Sequence, residues 1–121
     1  MIRLVLLVLL AGPAQAQDMA SAPGGVLRVL DKLSGALIDL DLSRGEAETS
    51  GRLTVQLDEC RYPVDDPASD AEAHMTIQIA PATDPVFAGW MVASSPALSA
   101  LDHPRYDVWV LRCDTSAAVG Q

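Results

Sequence analysis

The chain has 121 residues, with 8 Lys and Arg against 16 Asp and Glu, and half of its residues are hydrophobic. This length suits about one domain, and the apolar fraction argues against a disordered acidic segment. The net charge of −8 and the single lysine, Lys32, leave no basic patch for phosphate groups, which argues against nucleic-acid binding and electrostatic docking to anionic membranes.

The N-terminal segment has the layout of a signal peptide. Arg3 supplies a positive charge, residues 4–12 (LVLLVLLAG) form an apolar run, and Ala14 and Ala16 place small side chains at an A-x-A cleavage position. The run is shorter than the roughly 20 residues that a membrane-spanning helix needs. We therefore predict a signal peptide over residues 1–16, export, and no transmembrane segment in the mature chain. A buried or membrane-anchoring helix is the alternative.

Export affects the interpretation of Cys60 and Cys113, which are the two cysteines of the chain. In an oxidising compartment two cysteines of a small domain commonly form a disulfide, and this pair would close a loop worth about 4 kcal/mol in the chain-entropy model. The alternatives are free thiols or a metal site that adds His74 and His103. No C-x-x-C or H-x-x-x-H spacing supports such a site, so no metal-binding residue is predicted.

The remaining chain shows mainly the alternation that is typical of β-strands. Residues 17–25 (QDMASAPGG) are small, polar and rich in Pro and Gly, which predicts a flexible lead-in. Six alternating segments follow, at residues 26–30, 36–42, 53–57, 74–80, 86–93 and 106–113. They predict an all-β fold, a small antiparallel sandwich or barrel of about six strands. We expect one β domain over residues 26–114 and a disordered tail over residues 115–121.

Three local features refine this expectation. Cys60 has the opposite parity to Leu57, so either a bulge near residues 58–59 turns it inward or it lies beyond the strand end. In the last strand, simple alternation places Trp109, Leu111 and Cys113 on one face. The sequence Ser94-Ser95-Pro96 has a hydroxyl cap followed by proline, which predicts one short helix carrying Leu98 and Leu101 on one face.

Residues 86–113 carry the arrangement F-x-G-W-M-x-A-S-S-P…H-P-x-Y-D-V-W…C. Together with residues 26–32 and 51–60, they resemble the family called domain of unknown function 2155, over roughly residues 26–113. The resemblance implies a secreted or periplasmic protein of a Gram-negative bacterium, without an established activity. The chain departs from the family pattern at His74, where an apolar or aromatic residue is usual, which argues against a catalytic role for this histidine.

One group of residues permits a catalytic hypothesis. His103 lies beside Asp102, with Asp107 and Ser94-Ser95 nearby in the sequence, so a hydrolase or metal-dependent enzyme centred on His103, Asp102 and Asp107 is an alternative function. However, the chain has no G-x-S-x-G motif. Ser95 is explained as a helix cap, and His103 before Pro104 as a turn residue. We therefore predict no catalytic residues.

Acidic residues concentrate near the third predicted strand, at Asp58, Glu59, Asp65, Asp66, Asp70 and Glu72. Carboxylates on flexible loops suit calcium, but the spacing lacks the glycine and terminal glutamate of an EF-hand loop. A solvated acidic loop is the simpler interpretation, and no cofactor is predicted.

The leading hypothesis is a non-enzymatic protein-interaction or structural module of the cell envelope, located in the periplasm, with another envelope protein as its partner. Candidate partner-binding residues are Trp90, Trp109, Tyr106 and His103, because aromatic side chains dominate interfaces when they are exposed. A third hypothesis is a carrier of small apolar ligands inside a β-barrel.

Overall fold

The computed structural model describes residues 12, 18–97, 99, 101 and 103–115. The predicted signal peptide and residues 116–121 of the predicted tail therefore lie outside the described residues, apart from Gly12 in the apolar run. Eight strands form the described fold: β1 (Met19–Ala22), β2 (Gly24–Asp31), β3 (Leu37–Ser43), β4 (Ala47–Ser50), β5 (Leu53–Pro63), β6 (Glu72–Ile79), β7 (Phe87–Val92) and β8 (Tyr106–Asp114). The prediction of an all-β fold is confirmed.

The strands form two antiparallel sheets. The five-stranded sheet has the order β1-β5-β6-β7, with β4 also paired to β5, and the three-stranded sheet has the order β3-β2-β8. Strand β5 is long enough to pair with β4 through residues 53–56 and with β1 through residues 60–63. The chain passes from one sheet to the other at Pro23, which stands alone between β1 and β2.

Both sheets contribute their inward faces to one hydrophobic core. Leu27 and Val29 of β2 are buried together with Val55 of β5 and Met75 of β6. Alternate residues of these strands point to opposite faces, which is why the apolar positions of the sequence pattern gather in one layer between the sheets. The architecture is therefore a β-sandwich rather than a closed barrel with an apolar lumen.

Two strands were missed by the sequence pattern. Strand β1 lies within residues 17–25, which were predicted as a flexible lead-in, and β4 lies in the polar connection after β3. Both have only four residues and are formed by pairing with β5. Their own sequences, MASA and AETS, carry little apolar alternation, so the pairing with a long neighbour makes them strands.

The predicted short helix is wrong for the part of the chain that the structure describes, since no helix occurs there. Residues 93–97 form turns instead, and Leu98 lies outside the described residues. The amide of Ser95 donates to the carbonyl of Val92, while the hydroxyl of Ser94 donates to the carboxylate of Asp70. The hydroxyl of Ser94 therefore connects this segment to the loop that contains Asp70, and it does not cap a helix.

Two β-bulges set the direction of the cysteines. In β5 the pairing shifts between Leu57 and Glu59, so that Asp58 has no direct partner on β6, and Cys60 becomes fully buried. Of the two interpretations that the parity of Cys60 allowed, the bulge is the one that the structure shows. In β8 the pairing shifts at Leu111, which corrects the prediction that Cys113 shares a face with Trp109. Each extra residue reverses the face of everything after it.

Candidate functional site

The two cysteines join the sheets. The sulfur atoms of Cys60 in β5 and Cys113 in β8 lie 2.12 Å apart, and their Cα atoms are separated by 5.6 Å. Gly25 of β2 pairs with Cys113, and a Cβ atom at this glycine would lie 3.1 Å from the sulfur of Cys60. The missing side chain at Gly25 therefore leaves the space that the disulfide occupies between the sheets. Both thiols are used in this way, which leaves none for metal binding.

The four predicted partner-binding residues do not form one surface. Trp90 lies on the outer face of the five-stranded sheet with 38% of its surface exposed. Tyr106 is 3% exposed and belongs to the core, with the ring of His103 stacked on it at 5.8 Å between centroids. Trp109 is half-buried on the outer face of the three-stranded sheet. The structure therefore leaves Trp90 as the most exposed aromatic residue of the four.

Trp90 is surrounded by polar side chains that the sequence analysis did not place among the partner-binding residues. We define the Trp90 surface as Asp58, Arg61, His74, Thr76 and Trp90. The imidazole of His74 meets the indole edge-on at 5.3 Å between centroids, and the guanidinium of Arg61 lies 5.7 Å from the indole centroid. Edge-on ring contacts and cation–π contacts both fix the orientation of an exposed ring.

The bulge in β5 supplies the anchor of this surface. Its unpaired residue, Asp58, receives a hydrogen bond from the hydroxyl of Thr76 at 2.7 Å, and the same carboxylate oxygen lies 2.8 Å from Nδ1 of His74. His74 is directly paired with Trp90 across β6 and β7. The outward positions of β6 were visible in the sequence alternation, but the approach of Asp58 depends on the bulge and could not be predicted from spacing alone.

The residues of the catalytic hypothesis bind to different partners. Nδ1 of His103 accepts a hydrogen bond from the amide of Arg105 at 3.0 Å, two residues further along the chain. The carboxylate of Asp107 lies 3.2 Å from the ammonium group of Lys32, and Ser94 is bound to Asp70. Asp102 lies outside the described residues. The described contacts therefore do not bring a serine, His103 and a carboxylate together.

Acidic side chains around β5 and β6 are also distributed among separate partners. Glu59 accepts a hydrogen bond from Ser21 at 2.6 Å, and Asp70 binds Ser94. Within the described residues no group of three or more His, Cys, Asp or Glu side chains is arranged to hold a metal ion. The acidic segment, for which calcium binding was the alternative to a solvated loop, therefore has no such cluster among the residues that the structure describes.

A surface groove of about 310 Å³ lies beside β8 and is lined by Pro96, Leu101, Asp107, Val108 and Trp109. It follows the edge strand β8, and its lining combines the buried side chains of Leu101 and Val108 with Trp109 of the outer face. No helix among the described residues is long and apolar enough to cross a membrane.

These features define a small two-sheet β-sandwich, joined by a disulfide, with an ordered aromatic surface on its larger sheet. A family model described as "uncharacterized protein conserved in bacteria (DUF2155)" matches residues 25–113. The chain belongs to this family, which confirms the resemblance seen in the sequence.

One relative is uncharacterized as well. An uncharacterized protein of Rickettsia prowazekii (strain Madrid E), RP359, is 32% identical over 92 residues, which cover 74% of this chain and 59% of the relative. The chain thus spans less than two thirds of the length of that relative. No solved structure matches the chain.

Proposed function

We propose that this protein is a periplasmic, non-enzymatic interaction module that binds another protein of the cell envelope through the Trp90 surface. The observation that carries the proposal is the exposed indole of Trp90, held between His74 and Arg61 on a sheet whose other face is the core. Tryptophan and arginine are the residues most enriched at binding hot spots, where a fixed side chain loses little entropy on association.

Export is part of the same proposal. It is supported by the charge, apolar run and small residues of positions 1–16. It is also supported by the pairing of Cys60 with Cys113, because such bonds persist in oxidising compartments and are rare in the cytosol. The excess of acidic residues fits a partner with a basic surface, since opposite potentials accelerate and orient association.

The experiment compares two variants of the full chain expressed in its bacterial host. Trp90→Ala removes the exposed indole, whereas Leu37→Ala removes a side chain that is 57% exposed on the other sheet. After chemical cross-linking in intact cells, the proteins bound to each variant are quantified by mass spectrometry. We expect an envelope protein that is retained by Leu37→Ala and depleted about tenfold or more by Trp90→Ala. Identical sets for both variants and the wild type would refute the proposal.

A further inference from the structure

Strand β7 forms an open edge of the five-stranded sheet, because among the described strands it pairs only with β6. The amide of Ala93 donates to the carbonyl of Ala71, which fixes the alternation of hydrogen bonds along this ladder. In an antiparallel pair only every second residue bonds to the neighbouring strand. The N–H and C=O groups of Ala88 and Trp90 therefore point away from β6, and no partner for them occurs among the described residues.

The composition of β7 distinguishes it from the edges of the other sheet. Residues 87–92 (FAGWMV) contain no charged side chain. In contrast, the edge strand β3 carries Asp39 and Asp41, and the edge strand β8 carries Asp107 and Arg112. Charged side chains on edge strands prevent pairing with another chain. In a protein of net charge −8, β7 is therefore an edge strand whose own side chains would bring no like charges together beside a second copy.

The side chains of β7 are also complementary to themselves in one antiparallel register. If Gly89 lies opposite Gly89 of a second copy, Trp90 faces Ala88 and Phe87 faces Met91 across the symmetry axis. A large side chain then meets a small one on the outer face, and the closest pair of the register consists of two glycines. In this register the free N–H and C=O groups of Ala88 form hydrogen bonds with those of Trp90 in the second copy, and the groups of Trp90 bond to those of Ala88.

From these observations we infer that β7 pairs with β7 of a second copy of this chain, centred on Gly89, in a two-fold symmetric dimer. The dimer extends the five-stranded sheet into a continuous sheet of ten strands, five from each copy. Such an interface is closed, because each copy uses the same edge and no free β7 edge remains. The two Trp90 surfaces then lie side by side on the outer face of one sheet.

Proline substitution tests the interface directly. Ala88→Pro removes an N–H group that has no partner among the described residues of the monomer. In the two-fold dimer this N–H group forms one hydrogen bond in each copy, so the substitution removes two hydrogen bonds. Leu37→Pro is the matched control, because the N–H group of Leu37 faces the open edge of β3 in the same way. Sedimentation equilibrium of the purified, oxidised protein is expected to give twice the monomer mass for the wild type and Leu37→Pro. The Ala88→Pro variant is expected to lose this dimer.

A cysteine variant tests the register and remains decisive if Ala88→Pro does not fold. Gly89→Cys places two thiols opposite each other at the symmetry axis, and its Cβ position meets the Phe87 ring at an ordinary 3.6 Å. We expect an interchain disulfide that doubles the mass on a non-reducing gel, and none for the control Leu37→Cys.

A wild-type protein that stays monomeric at every concentration would overturn the inference, as would equal cross-linking of the two cysteine variants. Because purified protein is used, neither result depends on the envelope partner proposed above.

Discussion

Asp70 shows how one side chain connects two loops. Its carboxylate accepts hydrogen bonds from the hydroxyl of Ser94 at 2.7 Å and from the amides of Ala71 and Ser94. Partial burial is the largest single effect on this group and by itself raises the pKa, but the three hydrogen bonds outweigh it. The pKa of Asp70 is therefore lowered from its ordinary value. The ionised carboxylate thus stabilises the fold above the pKa of an unfolded aspartate, and this stabilisation is lost as the pH falls through the folded-state pKa.

Removal of the Ser94 hydroxyl tests this connection. We expect Ser94→Ala to raise the pKa of Asp70 and to reduce the free energy of unfolding by about 1 kcal/mol at neutral pH. The difference in the free energy of unfolding between Ser94→Ala and the wild type decreases as Asp70 becomes protonated at lower pH. NMR titration of the Asp70 carboxyl and urea unfolding at several pH values measure both effects, with Ser95→Ala as the control. An unchanged pKa in Ser94→Ala would show that the hydroxyl does not stabilise the charge.

Gly25 leaves the space that the disulfide needs, because it has no side chain. A Cβ atom at this position would lie 3.1 Å from the sulfur of Cys60 and 3.3 Å from the carbonyl oxygen of Arg112. We therefore expect Gly25→Ala to lower the free energy of unfolding by about 1–3 kcal/mol, as overpacking of a core does. Non-reducing urea unfolding measures this change. The control is Gly89→Ala, measured at low protein concentration, and equal stability of the two variants would contradict the account.

The bulges in β5 and β8 determine which face of each strand carries its cysteine. Since side chains alternate between faces, one extra residue in each strand turns the following cysteine towards the core. Insertion of one alanine after Leu111 adds a further residue between Val110 and Cys113, so that Cys113 points outward while the pairing of Val110 is kept. We expect this variant to retain two thiols that react with iodoacetamide without reductant, whereas Leu111→Ala keeps the bulge and the disulfide. Mass spectrometry after alkylation counts the thiols, and an insertion variant with no reactive thiol would argue against this role of the bulge.

Sequence patterns predicted the strands that bury their own apolar residues. The alternation of Leu53, Val55 and Leu57 identified β5, for example, because every second residue of that strand enters the core. The same pattern could not identify β1 or β4, whose strand conformation comes from pairing with β5. It placed Trp90 among the partner-binding candidates but not Asp58, because the position of this carboxylate depends on a bulge and on contacts with a neighbouring strand.

At the scale of the whole molecule, the disulfide is the covalent link between the two sheets. It closes a loop of 53 residues in sequence, and a domain of this size buries only about two thirds of its unfolded surface. By restricting the unfolded chain, the disulfide contributes about 4 kcal/mol to the free energy of unfolding. This is a large share of the roughly 5–15 kcal/mol that is typical of folded domains. An oxidised fold of this kind suits a protein that acts outside the cytosol, which is the central claim of the proposed function.

Intact-mass analysis of the protein isolated from its native host, alkylated without reductant, tests that claim most directly. We predict a mature N-terminus at Gln17, the absence of alkylated thiols, and a mass two hydrogens below that of the reduced chain. An N-terminus that retains residues 1–16, together with alkylation of both Cys60 and Cys113, would contradict it.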